Sequence, residues 1–110
     1  MRKQLNKNER EVILMPLYVY IDNMRKPIFS DCIWAKDYEE AVAAIESNAK
    51  DNHLIVDFDH DLGTEKTGYD LAEWLVLNNY TGDFKVHSMY PAGNKNISNL
   101  LTEYGWREFY

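Results

Sequence analysis

Apolar residues come in short bursts along this chain, and the spacing inside each burst predicts an element. Leu17-Tyr18-Val19-Tyr20-Ile21 is rich in β-branched and aromatic residues and runs into Asp22-Asn23, as a strand entering a turn does. The turn continues through Arg25-Lys26-Pro27, after which Cys32-Ile33-Trp34-Ala35 is a second, shorter strand. Val12-Ile13-Leu14-Met15 either extends the first strand or forms an edge piece before Pro16. Asp37, with Glu40 three residues on, has the form of a capping box. Ala41, Ala44 and Ile45 follow at helical spacing until Asn48 to Asn52 stops the helix. Leu54-Ile55-Val56 is a third strand, and Thr67 caps a stronger helix whose buried stripe is Leu71, Trp74, Leu75 and Leu77 or Asn78. After the turn Thr81-Gly82-Asp83, Phe84 to Met89 reads as a further strand. A loop with Pro91 and Gly93 then leads to a last helix around Lys95 to Tyr104, with Ile97, Leu100 and Leu101 inward. Gly105 to Tyr110 either packs its aromatics on the body or adds a short edge strand.

The order β, β, α, β, α, β, α predicts an α/β fold with a mostly parallel sheet of about four or five strands. A chain of 110 residues is long enough for one core and too short for two, so residues 12–110 form a single domain. Residues 1–11 are polar and mixed in charge, and read as a flexible leader whose basic residues can touch a protein partner. No apolar run is as long as a membrane span, and the single Cys32 excludes an internal disulfide and a cysteine zinc cluster, so a reducing, cytoplasmic location is expected. Cys32 itself reads as a small core residue. The formal net charge of −6 argues against duplex DNA as a partner, which would need a basic face to displace counterions, and leaves a small phosphorylated ligand open.

The most informative stretch follows the third strand. Asp57-Phe58-Asp59-His60-Asp61-Leu62-Gly63 places three carboxylates and an imidazole where a parallel sheet delivers its chemistry, at the carboxyl ends of its strands. Asp22 and Arg25, the Thr67-Gly68-Tyr69-Asp70 helix start, and His87-Ser88 through Asn94 occupy equivalent positions, and their convergence on one edge carries the functional argument. His60 and His87 end consecutive strands, which are often neighbours, and two imidazoles there can serve as base and acid across a phosphodiester. Asp59 and Asp61 would orient an imidazole or, with Asp22, hold a magnesium ion. Asp57 reads as incidental, a strand-end residue that caps the next turn or faces water. Arg25, Ser88 and Asn94 would hold phosphate oxygens, helped by the amides opening the last helix and by Lys95. Thr67 is expected among the ligand-binding residues with Asp22, and Tyr69 either stacks on a base or packs in the core. Asp70 needs no more than the helix dipole to explain it, Trp34 and Trp74 read as core, and His53 lies at the opposite edge of the sheet.

These pieces together resemble the cyclic-phosphate-processing receiver-like family. The pattern is an acidic turn followed by Arg and Pro (Asp22 to Pro27), Asp59-His60-Asp61-Leu62-Gly63, Thr67-Gly68-Tyr69-Asp70, and Val86-His87-Ser88 with Pro91-Ala92-Gly93-Asn94, a match running from about Leu17 to Leu101. The resemblance implies a small receiver-like, flavodoxin-type three-layer fold and a role in handling cyclic phosphates, such as the 2′,3′-cyclic ends left by RNA cleavage. The family's first turn commonly carries two adjacent acids, whereas Asn23 follows Asp22 here, which weakens a metal site built from that pair. A phosphoacceptor response regulator is the competing likeness, but no lysine ending a fifth strand is visible after Met89, and two strand-end histidines are foreign to that mechanism. The expectation is therefore an enzyme, a cyclic phosphodiesterase acting on a cyclic nucleotide or an RNA end. Two alternatives stand beside it: a non-catalytic module that captures such a ligand, for example in conflict between phage and bacterium, and a receiver-like protein-interaction domain.

Overall fold

The computed structural model describes residues 16–49 and 53–109. Val12 to Met15 and the leader lie outside the described residues. Within them the chain runs β1 (Leu17–Ile21), β2 (Ile33–Ala35), α1 (Tyr38–Asn48), β3 (Leu54–Phe58), α2 (Gly68–Leu77), β4 (Gly82–Val86), α3 (Pro91–Glu103) and β5 (Arg107–Glu108). All strand pairs are parallel and the order across the sheet is β2-β1-β3-β4-β5. This is the flavodoxin-type doubly wound order, whose switch point lies between β1 and β3. None of the described helices is long and apolar enough to cross a membrane.

The handedness of parallel crossovers decides which face of the sheet is covered by helices. The steps from β2 to β3, β3 to β4 and β4 to β5 all run the same way across the sheet, so right-handed connections put α1, α2 and α3 on one face. Accordingly α2 packs against both α1 and α3. The step from β1 to β2 runs the other way, and its connection, residues 22–32, passes over the opposite face without a helix. There Phe29 meets Tyr18 edge to face, with ring centroids 4.9 Å apart.

The two faces differ in chemistry accordingly. Val19, Ile21, Val56, Phe58 and Phe84 are fully buried and meet Ala41, Ile45, Leu71, Leu75, Ile97 and Leu101 in the core. The alternate positions Tyr18, Tyr20, Asp57 and Lys85 belong to the face without described helices, and only Asp57 among them is buried.

Most predicted elements are present, with several adjustments. The fourth strand is Gly82–Val86, so it takes in two residues of the expected turn and ends before His87, and Trp34 is half-buried outside the core, donating its indole N–H to the Asp22 carbonyl at 2.8 Å. Leu77 is 79% exposed and Asn78 is also exposed, because the stripe set by Leu71 and Leu75 leaves position 77 on the far side of the helix. The last helix begins at Pro91, whose fixed φ suits a first helical turn, and not at Lys95. The tail does both things expected of it: Trp106 is buried and donates its indole N–H to the Tyr80 carbonyl at 3.1 Å, and Arg107–Glu108 adds the fifth strand. Cys32 is only half-buried, in the loop before β2, so it is not a core residue. The capping box at Thr67 is complete, with Asp70 N–H donating to the Thr67 hydroxyl and Thr67 N–H donating to the Asp70 carboxylate.

Gly68 shows how tightly the site-bearing loop is held. Its N–H donates to the His60 carbonyl at 2.8 Å, and a Cβ on it would collide with the Asp59 carbonyl. We expect Gly68→Ala to lower stability by about 1–3 kcal/mol in urea unfolding, because neither the helix start nor the strand end can retreat without breaking that bond. An unchanged midpoint would show that the loop is slack.

Candidate functional site

Register builds the site. Ile21 is level with Phe58, and Phe58 with Val86, so the residues that follow, Asp22, Asp59 and His87, emerge side by side from three adjacent strands. The ladder continues one residue past the strands: Asp59 N–H donates to the Ile21 carbonyl at 3.0 Å and His87 N–H to the Phe58 carbonyl at 2.8 Å. A carboxylate oxygen of Asp22, one of Asp59 and a ring nitrogen of His87 consequently all lie within 4.8 Å of one another.

Asp22 is 1% exposed, and its charge is met from every side. One oxygen accepts the backbone N–H groups of Met24 and Arg25 at 2.9 and 2.8 Å, the turn geometry that an aspartate at a strand end favours. The other accepts from His87 Nε2 at 3.0 Å and from Arg25 Nε at 3.2 Å. Burial alone would raise this carboxyl's pKa; the hydrogen bonds from Arg25 and Met24, and then His87, outweigh it and hold it below the usual range.

His87 is gripped at both ends. Its Nδ1 faces an oxygen of Asp57 at 2.6 Å and its Nε2 faces Asp22, while its ring stacks flat on Tyr20 with centroids 4.8 Å apart. A carboxylate at each nitrogen calls for a proton on each, so the ring is an imidazolium. Its burial favours the neutral form, but the hydrogen bond and charge of Asp57, followed by those of Asp22, raise its pKa above the ordinary value. Asp57, expected to be incidental, is instead 4% exposed and also accepts from the Tyr18 hydroxyl at 3.2 Å. The physical reason is that β3 continues through Asp57 to Phe58, and alternation turns Asp57 to the same face as Tyr18, Tyr20 and His87.

Asp59 is half-buried beside this set, and burial, then the charge of Asp22, raise its pKa. It lines a cleft of about 440 Å³ together with Asp22, Asn23, Met24, Arg25, Asp61, Ser88, Met89 and Tyr90. Arg25 reaches over Asp22 to the His87 carbonyl at 3.5 Å. Ser88 accepts from Tyr90 N–H at 2.9 Å, which leaves its own proton to offer.

The remaining expected residues are placed differently. The ring of His60 meets Tyr90 edge to face at 4.8 Å and lies against Gly93 of α3, and it is not among the groups brought together with His87. Alternation carries the signal for this: Asp57 and Asp59 share one parity on β3, and His60 has the other. Asp61 accepts from Gly63 N–H at 2.9 Å, so His87 stands in the cluster where Asp61 was expected. Asn94 donates its side-chain amide to the Ser88 carbonyl at 2.8 Å, bracing the loop. The Thr67 hydroxyl belongs to the capping box, and Tyr69 packs against the core. His53 pairs with Asp83 at 3.1 Å, near the amino ends of β3 and β4, away from the cleft.

Magnesium fits this set poorly. It prefers oxygen ligands that keep several of its waters, whereas here one donor is an imidazole and both Asp22 oxygens already accept hydrogen bonds from Met24, Arg25 and His87. The charge of Asp22 is balanced by His87 and Arg25.

A family model described as Cyclic-phosphate processing Receiver domain covers residues 17–103. No curated protein and no solved structure matches the chain.

The His87 bridge sets a pH dependence of stability. His87 binds its proton more tightly folded than unfolded, so its contribution is complete below the ordinary value of 6.5 and is lost as pH rises through the raised folded value. On the acid side Asp22, lowered, and Asp59, raised, oppose one another, so the clean flank is the alkaline one below the ordinary values of 9.0 and 10.0 at which Cys32, Tyr18 and Tyr20, all raised by burial, begin to add to the fall. We expect the thermal midpoint to fall from about pH 6.5 upward in wild-type protein. Asp57→Asn should cost about 1.5–3 kcal/mol at neutral pH and flatten that slope. A wild-type midpoint flat across this range would refute the bridge.

Proposed function

The chain belongs to the cyclic-phosphate processing receiver domain family, and on that footing we propose that its cleft opens a cyclic phosphodiester by adding water, with Asp59 and His87 as the acid–base pair. The observation that carries this reading is the register of β1, β3 and β4, which brings the His87 ring within 4.8 Å of Asp59, while Asp59 lines one cleft with Asp22, Arg25 and Ser88. A cyclic phosphodiester is an anion with two bridging oxygens, and its opening requires a base for the water and an acid for the oxygen that leaves phosphorus.

Arg25, with a side chain 55% exposed, and the Ser88 hydroxyl supply donors for the non-bridging oxygens. The Asp59 carboxylate takes a proton from water while the water oxygen bonds to phosphorus. The bond from phosphorus to one bridging oxygen breaks, and the Nε2 proton, which His87 shares with Asp22 in the resting site, leaves Asp22 for that oxygen, giving a phosphomonoester and a free hydroxyl. Neutral His87 and protonated Asp59 then return to their resting states by exchanging protons with solvent. Asp57 and Tyr20 are positioning residues, since they hold the ring through its other nitrogen and its face. This reading replaces His60 with Asp59 in the expected pair, for the reason that Asp59 lies within 4.8 Å of the His87 nitrogen set and lines the cleft.

Incubation with 2′,3′-cyclic nucleotides and with cyclic dinucleotides, followed by chromatography, tests it. We expect a ring-opened monophosphate, formed equally well with magnesium or with EDTA. Asp59→Asn and His87→Ala should each slow it by about 10²–10⁴-fold. Arg25→Ala should raise KM by about tenfold or more, the value of a hydrogen bond to a charged group. Recovery of intact ligand that nonetheless binds would identify a capture module, and loss of turnover in EDTA would overturn the metal-free chemistry.

A further inference from the structure

The cleft has a second chemistry that the phosphate reading does not use. Among the described residues, the large apolar side chains that stand well out of the surface are Met24, Ile28, Phe29, Leu77, Met89, Tyr90 and Tyr104. Three of them, Met24 at 80%, Met89 at 86% and Tyr90 at 53% exposure, line this one cleft around a floor that carries Arg25, Asp59 and Ser88. An apolar rim over an anion-binding floor suits a ligand with a flat, weakly polar part attached to a phosphate.

Tyr90 is built to present its ring. It is the N-cap residue of α3, with Pro91 fixing the first helical position, and its N–H is held by the Ser88 hydroxyl oxygen at 2.9 Å. His60 abuts the Tyr90 ring at an interplanar angle of 70°, and Gly93 makes room for it, since a Cβ there would run into both the imidazole and the Tyr90 ring. A ring ordered before binding loses little entropy on contact, and methionine side chains beside it conform to any base. Volume agrees, because about 440 Å³ is more than a lone cyclic phosphate requires and is within the range of small-molecule sites.

We infer that Tyr90, flanked by Met24 and Met89 and steadied by His60, is the stacking surface for a nucleobase, so that the ligand of this cleft is a nucleoside cyclic phosphate, free or at an RNA end. The inference rests on the proposed phosphate site for where the ribose and phosphate lie. Met24 and Met89 offer no hydrogen bonds to a base edge, so stacking on this rim selects for a base without strongly selecting which one. His60 is then a positioning residue, acting on the base through Tyr90 and on no proton of the reaction.

The test compares 2′,3′-cyclic AMP, an RNA oligomer ending in a 2′,3′-cyclic phosphate, and glycerol 1,2-cyclic phosphate, which has no base. Each is assayed for turnover and, by calorimetry, for binding. Base stacking predicts a preference of at least about tenfold for the base-bearing ligands over the glycerol ester. Tyr90→Ala and Met89→Ala, both at exposed positions, should shrink that ratio toward unity, and Tyr90→Trp should keep it. His60→Ala should shrink it while His60→Phe retains it, and neither should alter the pH profile of turnover. Equal use of the glycerol ester and cyclic AMP by wild-type protein would overturn the stacking surface and leave the proposed reaction standing. A base preference that depends on Tyr90, seen in binding without turnover, would do the reverse, and failure to bind any of the three would overturn both. A changed pH profile in His60→Phe would return His60 to the chemistry.

Discussion

An imidazolium held between two buried carboxylates is the interaction on which the carboxyl edge of this sheet depends. Asp22 and Asp57 are 1% and 4% exposed, and each would be costly there without a positive partner. His87 meets both at once, at 3.0 and 2.6 Å, and so ties the turn after β1 and the body of β3 to the residue after β4. Arg25 completes the balance from the solvent side. The chemistry proposed for the cleft uses this arrangement twice: the bridge supplies an acid at a set position, and it leaves Asp59 as the carboxyl whose charge is not met by a side-chain bond.

The bridge in turn depends on how the sheet is wound. Three crossovers in one direction commit the described helices to one face, and the remaining connection crosses the other face as a loop. Tyr18, Tyr20, Asp57 and His87 form their network on that second face, where a helix would otherwise exclude them from one another and from solvent. His60 emerges with the opposite parity, toward α3, and becomes a neighbour of Gly93 and Tyr90. Two histidines that look equivalent as strand-end residues are therefore separated by a single position of alternation. The Asp59 backbone at Gly68, and the His60 and Tyr90 rings at Gly93, stand where a Cβ would otherwise be, which lets the strand ends and helix starts come near enough for one cleft to be shared among β1, β3, β4 and α3.

Much of this was legible from local pattern. The strands at Leu17, Ile33 and Leu54, the caps at Asp37 and Thr67, and the convergence of Asp22, Arg25, Asp59, His87 and Ser88 on one edge follow from spacing, capping chemistry and the rule that parallel sheets collect functional groups at their carboxyl ends. Asp57 was misread because an apolar run that stops at Val56 makes the next carboxylate look like a loop residue, whereas β3 extends two residues further. Leu77 was misread because an apolar residue near a helix end was credited to the stripe without regard to its angle. Tyr90 and the methionines went unnoticed because exposure of an apolar side chain has no signature in a single sequence.

The sequence by itself determined the order of elements, the parallel α/β class, and which residue types stand at the strand ends, since these depend on period, capping and turn chemistry within a few residues. Only the tertiary structure decided which of those residues meet. Register levelled Asp22, Asp59 and His87, and parity sent His60 away from them. Burial turned Asp57 from a bystander into the anchor of the imidazole. These outcomes depend on pairing between segments 30 to 65 residues apart, as in the His87 contacts with Asp57 and Asp22, and no local pattern encodes the alignment of such distant partners.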